Sequence, residues 1–65
     1  MKLTIDVLGY FDGFYQVRIT EPDGHTSRWE FTLRQLREEI AMAKINCSNK
    51  GYKFELKGLD SYGVL

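Results

Sequence analysis

The chain is poor in the residues that carry most protein chemistry. It has one cysteine, one histidine and one proline among 65 residues. A lone Cys47 excludes an internal disulfide. With His25 as the only histidine, a zinc site would lack its usual Cys and His ligands, so no metal or other cofactor is expected. There is no glycine-rich phosphate loop either, since Gly13 and Gly24 follow Asp12 and Asp23 and are explained by turns. Neither sign of charge is in excess. Nine Lys plus Arg balance nine Asp plus Glu, which removes the global electrostatic pull toward nucleic acid or anionic membrane and leaves only a local patch. No apolar run approaches the ~20 residues of a membrane span, so no membrane association is expected. No signal-like leader is evident, and with a single cysteine the expected location is cytoplasmic. Asn46-Cys47-Ser48 matches a glycosylation sequon and, in that location, is coincidence. Catalytic residues are not expected: Cys47 falls on an apolar stripe and His25 in a turn.

Apolar and aromatic residues are present in ordinary amounts, 43% and 14%. A chain this short holds one domain, residues 1–65, and needs most of its large apolar side chains inside. Their spacing sets the fold. Leu3, Ile5 and Val7 alternate, as do Tyr15, Val17 and Ile19, and then Trp29 and Phe31; a period of two marks strands with one buried face. Leu33, Leu36, Ile40, Ala43 and Cys47 recur at helical spacing. Thr32 and Gln35 form a capping box at the head of that helix, and Asn49-Lys50-Gly51 ends it. Tyr52, Phe54 and Leu56 alternate again. The pattern predicts an α+β domain: an antiparallel meander near 2–10, 14–21 and 25–31, one helix near 33–47 packed on one face, and a fourth strand near 52–57 that lies beside the first strand or the third, the first being favoured. Residues 58–65 lack a clear period and read as a tail that frays or folds back through Leu59, Tyr62, Val64 and Leu65.

The two hairpins set the register. A two-residue Asp12-Gly13 turn pairs Phe11 with Phe14, sets Val7 against Arg18 and Ile5 against Thr20, and so mixes the faces. A three-residue Phe11-Asp12-Gly13 loop pairs Tyr10 with Phe14, Val7 with Val17 and Ile5 with Ile19, so all apolar residues share a face. Pro22-Asp23-Gly24 does the same for the second hairpin, pairing Glu21 with His25 and Val17 with Trp29. The three-residue register is therefore expected for both. Trp29, Ile40, Val17 and Phe54 then fall on the seam between sheet and helix and are expected to be deeply buried.

The same register sends Leu8, Tyr10, Phe11 and Phe14 to the outer face near the first turn. An apolar patch rimmed by polar groups is the usual mark of a contact surface, and it is the candidate partner-binding site. The alternatives are that the C-terminal tail, residues 58–65, covers these residues, or that a β-bulge at Gly9 turns Tyr10 inward. A smaller candidate lies on the outside of the helix, at Ala41, Met42 and Ile45. Arg34 and Arg37 oppose the helix dipole at its N-terminus, an arrangement explained by an i,i+4 pair of Arg34 with Glu38 and by an Arg37 stem laid over the core edge.

These features suggest a non-enzymatic protein-binding module, a small regulator, adaptor or inhibitor of a larger protein. Small domains of this kind are common among accessory proteins of phages and mobile elements. A second reading is nucleic-acid binding by the outer sheet face, with Arg18, Arg28 and Gln16 as contacts beside Thr4, Thr20 and Thr26. In its layout of three strands followed by a helix, over residues 2–46, the chain resembles plant AP2-type domains and the arm-binding domains of some integrases. That resemblance implies a sheet laid in the major groove. Those domains are strongly basic, whereas this chain is neutral and carries Asp6 and Glu30 on the same face. A third reading is a homodimer, joined through the aromatic patch or through an exposed edge strand.

Overall fold

The computed structural model describes residues 1–58. Strands β1 (Lys2–Phe11), β2 (Phe14–Thr20) and β3 (Thr26–Phe31) precede helix α1 (Leu33–Lys50), and β4 (Lys53–Lys57) follows it. They form one four-stranded sheet in the order β3-β2-β1-β4. The first three strands are an antiparallel meander, and β4 pairs in parallel with β1, Leu3 opposite Phe54 and Ile5 opposite Leu56. The fold is α+β, with the fourth strand beside the first, the favoured of the two placements. The expected tail falls on residues 59–65, outside the described residues, apart from Gly58.

Local chemistry accounts for the second hairpin and the helix ends. Glu21 N–H donates to the His25 carbonyl at 2.8 Å, Gly24 N–H donates to the Glu21 carbonyl at 2.9 Å, and Asp23 accepts from the His25 N–H at 2.8 Å. The Thr32 hydroxyl accepts from Gln35 N–H at 3.3 Å while the Gln35 side chain accepts from Thr32 N–H at 3.0 Å, so the capping box is complete. The helix runs three residues past its expected end. It stops where Gly51 takes a left-handed conformation and Tyr52 N–H donates back to the Cys47 carbonyl at 2.8 Å, an arrangement that satisfies the last free carbonyls.

The first hairpin differs from expectation. Its turn is the two-residue Asp12-Gly13, with φ of 55° and 86°, the signature of a type I′ turn whose twist matches the strands it joins. Phe11 pairs with Phe14 and Tyr10 with Tyr15, yet Val7 still pairs with Val17 and Ile5 with Ile19. One extra residue reconciles the two halves: between Val7 and Gly9 the register shifts, so Leu8 and Gly9 together oppose Gln16. This is a β-bulge. It restores the apolar face that an unbroken two-residue register would scramble. The three-residue loop and the Tyr10–Phe14 pair are thereby corrected.

The core lies under the helix on the two central strands. Ile5, Val7, Tyr15, Val17 and Ile19 meet Leu36, Ile40 and Ala43, with Leu3, Phe31, Leu33, Phe54 and Leu56 packed partly buried around them. Ile5, Val17 and Leu36 are fully buried, each burial stabilising the fold by about 1.5–3 kcal/mol. Ile40 and Val17 are buried as expected, but Phe54 is only half-buried and Trp29 is 51% exposed. Geometry explains both exceptions. A helix about 10–12 Å across covers little more than two strands spaced about 4.8 Å apart. The helix therefore roofs β1 and β2 and leaves the edge strands partly open.

Candidate protein-binding surfaces

The bulge divides the expected aromatic patch. Tyr10 turns to the helix side, where its ring lies 4.6 Å from that of buried Tyr15. Phe11 and Phe14 stay together as a directly paired couple on the outer face, 75% and 41% exposed. Leu8 is the extra residue of the bulge and is half-buried. Of the four residues, the structure thus joins Phe11 with Phe14 at the tip and separates Tyr10 from them. Gly9 was the one sign of the bulge in the sequence.

The rest of the outer face is polar and largely paired. An Arg18 Nη2 group donates to Asp6 Oδ2 at 3.0 Å, and Gln16 Nε2 donates to Glu30 Oε2 at 3.3 Å. On the β4 side, Lys2 and Lys57 approach Glu55 Oε1 at 3.3 and 3.5 Å. Lys2 chiefly, with Lys57 adding, holds the Glu55 carboxyl below the usual carboxylate range. Arg28 is different: it stands across from Arg18, a like charge, and has no ion-pair partner among the described residues. Of the candidate nucleic-acid contacts, Arg18 and Gln16 are thus each tied to a carboxylate, and Arg28 is not.

A feature not anticipated from the sequence lies on the helix side of β3. A groove of about 320 Å³ runs between α1 and the open flank of the sheet, walled by Ile19, Trp29 and Phe31 on one side and Met42 on the other. The Trp29 ring stacks on Phe31 at 5.9 Å with planes 8° apart, and its Nε1–H donates to the Ser27 hydroxyl at 2.9 Å. The available signal was the count of strands, since one helix cannot cover four. Ala41, Met42 and Ile45 are exposed, but only Met42 borders the groove.

The remaining candidates behave as local structure. Arg34 pairs with Glu38 at 3.5 Å, both well exposed. Cys47 is a buried free thiol on the core stripe. Among the described residues, no three of His, Cys, Asp and Glu gather closely enough to hold a metal ion, and no helix is long and apolar enough to cross a membrane. No family model, curated protein or solved structure matches the chain. The class defined by the fold is a small α+β domain with a four-stranded mixed sheet under one helix.

Proposed function

We propose that the chain is a non-enzymatic protein-binding module that acts in the cytoplasm by contact alone, as a small regulator, adaptor or inhibitor of a larger protein. One observation carries this reading: Phe11 and Phe14 form an exposed aromatic pair at the tip of a type I′ hairpin. Neither ring is needed by the core, because both project from the face opposite the helix. Paired aromatics on a short turn present large contact area with few rotatable bonds, which suits the anchor of an interface. Chains of this size and kind are common as accessory proteins of phages and mobile elements. Nucleic-acid binding by the sheet face has thinner support, since Arg18 and Gln16 are already engaged by Asp6 and Glu30.

The test is the double variant Phe11→Ser/Phe14→Ser beside the wild type. Circular dichroism checks the fold, and paired affinity captures followed by a binding titration check the contact. The expected result is a folded variant that loses a protein held by the wild type, with a penalty of about 2 kcal/mol or more. Wild-type affinity in the folded variant would overturn the reading. Duplex DNA retained at low salt and released steeply as salt rises, with the tip variant unaffected, would transfer it to the sheet face.

A further inference from the structure

Among the described residues the edge of the sheet at β3 is open, and its backbone is set up to receive another strand. Glu21 donates to the His25 carbonyl at the mouth of the second hairpin, so the alternation of an antiparallel ladder puts its hydrogen-bonded pairs at Ile19–Ser27, Val17–Trp29 and Tyr15–Phe31. The N–H and C=O groups of Thr26, Arg28 and Glu30 then point away from β2, toward the open edge. Sheets usually guard such an edge with lysine, proline or a bulge. The opposite edge strand, β4, carries Lys53 and Lys57. The six residues of β3, Thr-Ser-Arg-Trp-Glu-Phe, have no lysine or proline, and β3 runs without a register shift.

We infer that the occupant of this edge is a second copy of the same chain, paired antiparallel through β3 about a two-fold axis at Trp29. The charges select both the partner and the register. Arg28 and Glu30 lie two residues apart on the outer face. In a pairing centred on Trp29, Arg28 meets Glu30 of the second copy, and the symmetry of the dimer makes that contact twice. Centring on Arg28 sets arginine against arginine, and centring on Glu30 sets carboxylate against carboxylate. A shift by one residue puts the helix face of one copy against the outer face of the other. The register at Trp29 alone keeps the faces and opposes the charges. It also supplies the carboxylate that Arg28, beside Arg18, lacks within the described residues. On the helix side the half-exposed Trp29 meets its own copy as a close cross-strand aromatic pair, roofing the two grooves that flank it. The result is an eight-stranded sheet, with Phe11 and Phe14 outside the seam.

The experiment is sedimentation equilibrium of the full chain as wild type, Arg28→Glu, Glu30→Arg, and an equimolar mixture of the two variants, each checked for native circular dichroism. The wild type is expected to dimerise. Each single reversal places like charges at both symmetric contacts and weakens self-association about tenfold or more. The mixture is expected to form a heterodimer, because one chain then offers two carboxylates where the other offers two guanidinium groups. Trp29 is the only tryptophan, so its emission gives a second readout and should move to shorter wavelength as the dimer forms. A wild type that stays monomeric at the highest attainable concentration would overturn the inference. So would a dimer indifferent to both reversals, or a mixture no more associated than its parts. Binding at the tip is measured separately on the folded monomeric variants, so the two proposals stand or fall apart.

Discussion

Tyr10 faces Tyr15 across the first hairpin, with ring centroids 4.6 Å apart and planes inclined at 55°. This pair exists because Leu8 is one residue more than the ladder needs. The bulge sends Tyr10 toward the helix side and leaves its neighbour Phe11 on the other. Two adjacent aromatic residues thereby take different work. Tyr10→Ala should lower stability by about 1 kcal/mol through loss of the aromatic pair, while Phe11→Ser should stay within about 0.5 kcal/mol of wild type. Urea unfolding of both variants checks the contrast, and equal losses would place both rings on one face.

Ile40 and Trp29 make a second contrast. Ile40 is 4% exposed on the helix stripe over β1 and β2, whereas Trp29 is 51% exposed at the edge. Ile40→Ala should cost ~2–5 kcal/mol, enough to threaten so small a domain. Trp29→Ala should cost well under the ~3–5 kcal/mol typical of a buried tryptophan, provided both are measured at a dilution where the chain is monomeric. Thermal unfolding of the two variants side by side tests the placement of the helix.

Gly58 closes against the bulge from the other side of β1. Its φ is 81°, and a Cβ there would overlap the Val7 carbonyl oxygen. Two penalties therefore fall on Gly58→Ala: the left-handed backbone, worth about 1–2 kcal/mol, and the overlap with main chain that cannot swing aside. Gly13 at the hairpin tip has φ of 86° but open space around it. Gly13→Ala should cost only the first amount and Gly58→Ala clearly more, as read from urea midpoints.

The pH dependence centres on Glu55. Lys2 and then Lys57 lower its pKa in the folded chain from an ordinary value of 4.5. A lowered folded pKa means that the native state holds the carboxylate more firmly than the unfolded chain does. Its stabilisation is complete above 4.5 and is lost as pH falls through the lower, folded value. Glu55→Gln should flatten the acid limb of a stability–pH profile and leave the neutral limb little changed. Added salt should shrink the difference, because the pair is exposed.

How much of this was legible beforehand depends on the range of the interactions. The Pro22-Asp23-Gly24 loop, the Thr32–Gln35 capping box and the stop at Gly51 involve residues a few positions apart, and each formed as its local chemistry required. The first hairpin was harder. Asp12-Gly13 favours a two-residue turn, while Val7 and Val17 must share a face, and a longer loop satisfies the second demand at the expense of the first. The fold meets both by inserting Leu8 as a bulge, a solution that Gly9 hinted at without selecting. The division of Tyr10 from Phe11 followed from that bulge, and the Trp29 groove from the width of one helix over four strands; neither was visible in periodicity.

Alternation, helical spacing and turn residues by themselves determined the elements, the buried faces of β1 and β2, and the stripe of α1, because burial of apolar area and local hydrogen bonding act on near neighbours. Tertiary structure alone decided which side of the sheet Tyr10 and Phe11 each take and how far Trp29 is covered. That outcome turns on where one surplus residue is absorbed and on which two of four strands lie beneath a helix only about 10–12 Å wide, and both are settled by packing between residues far apart in the chain.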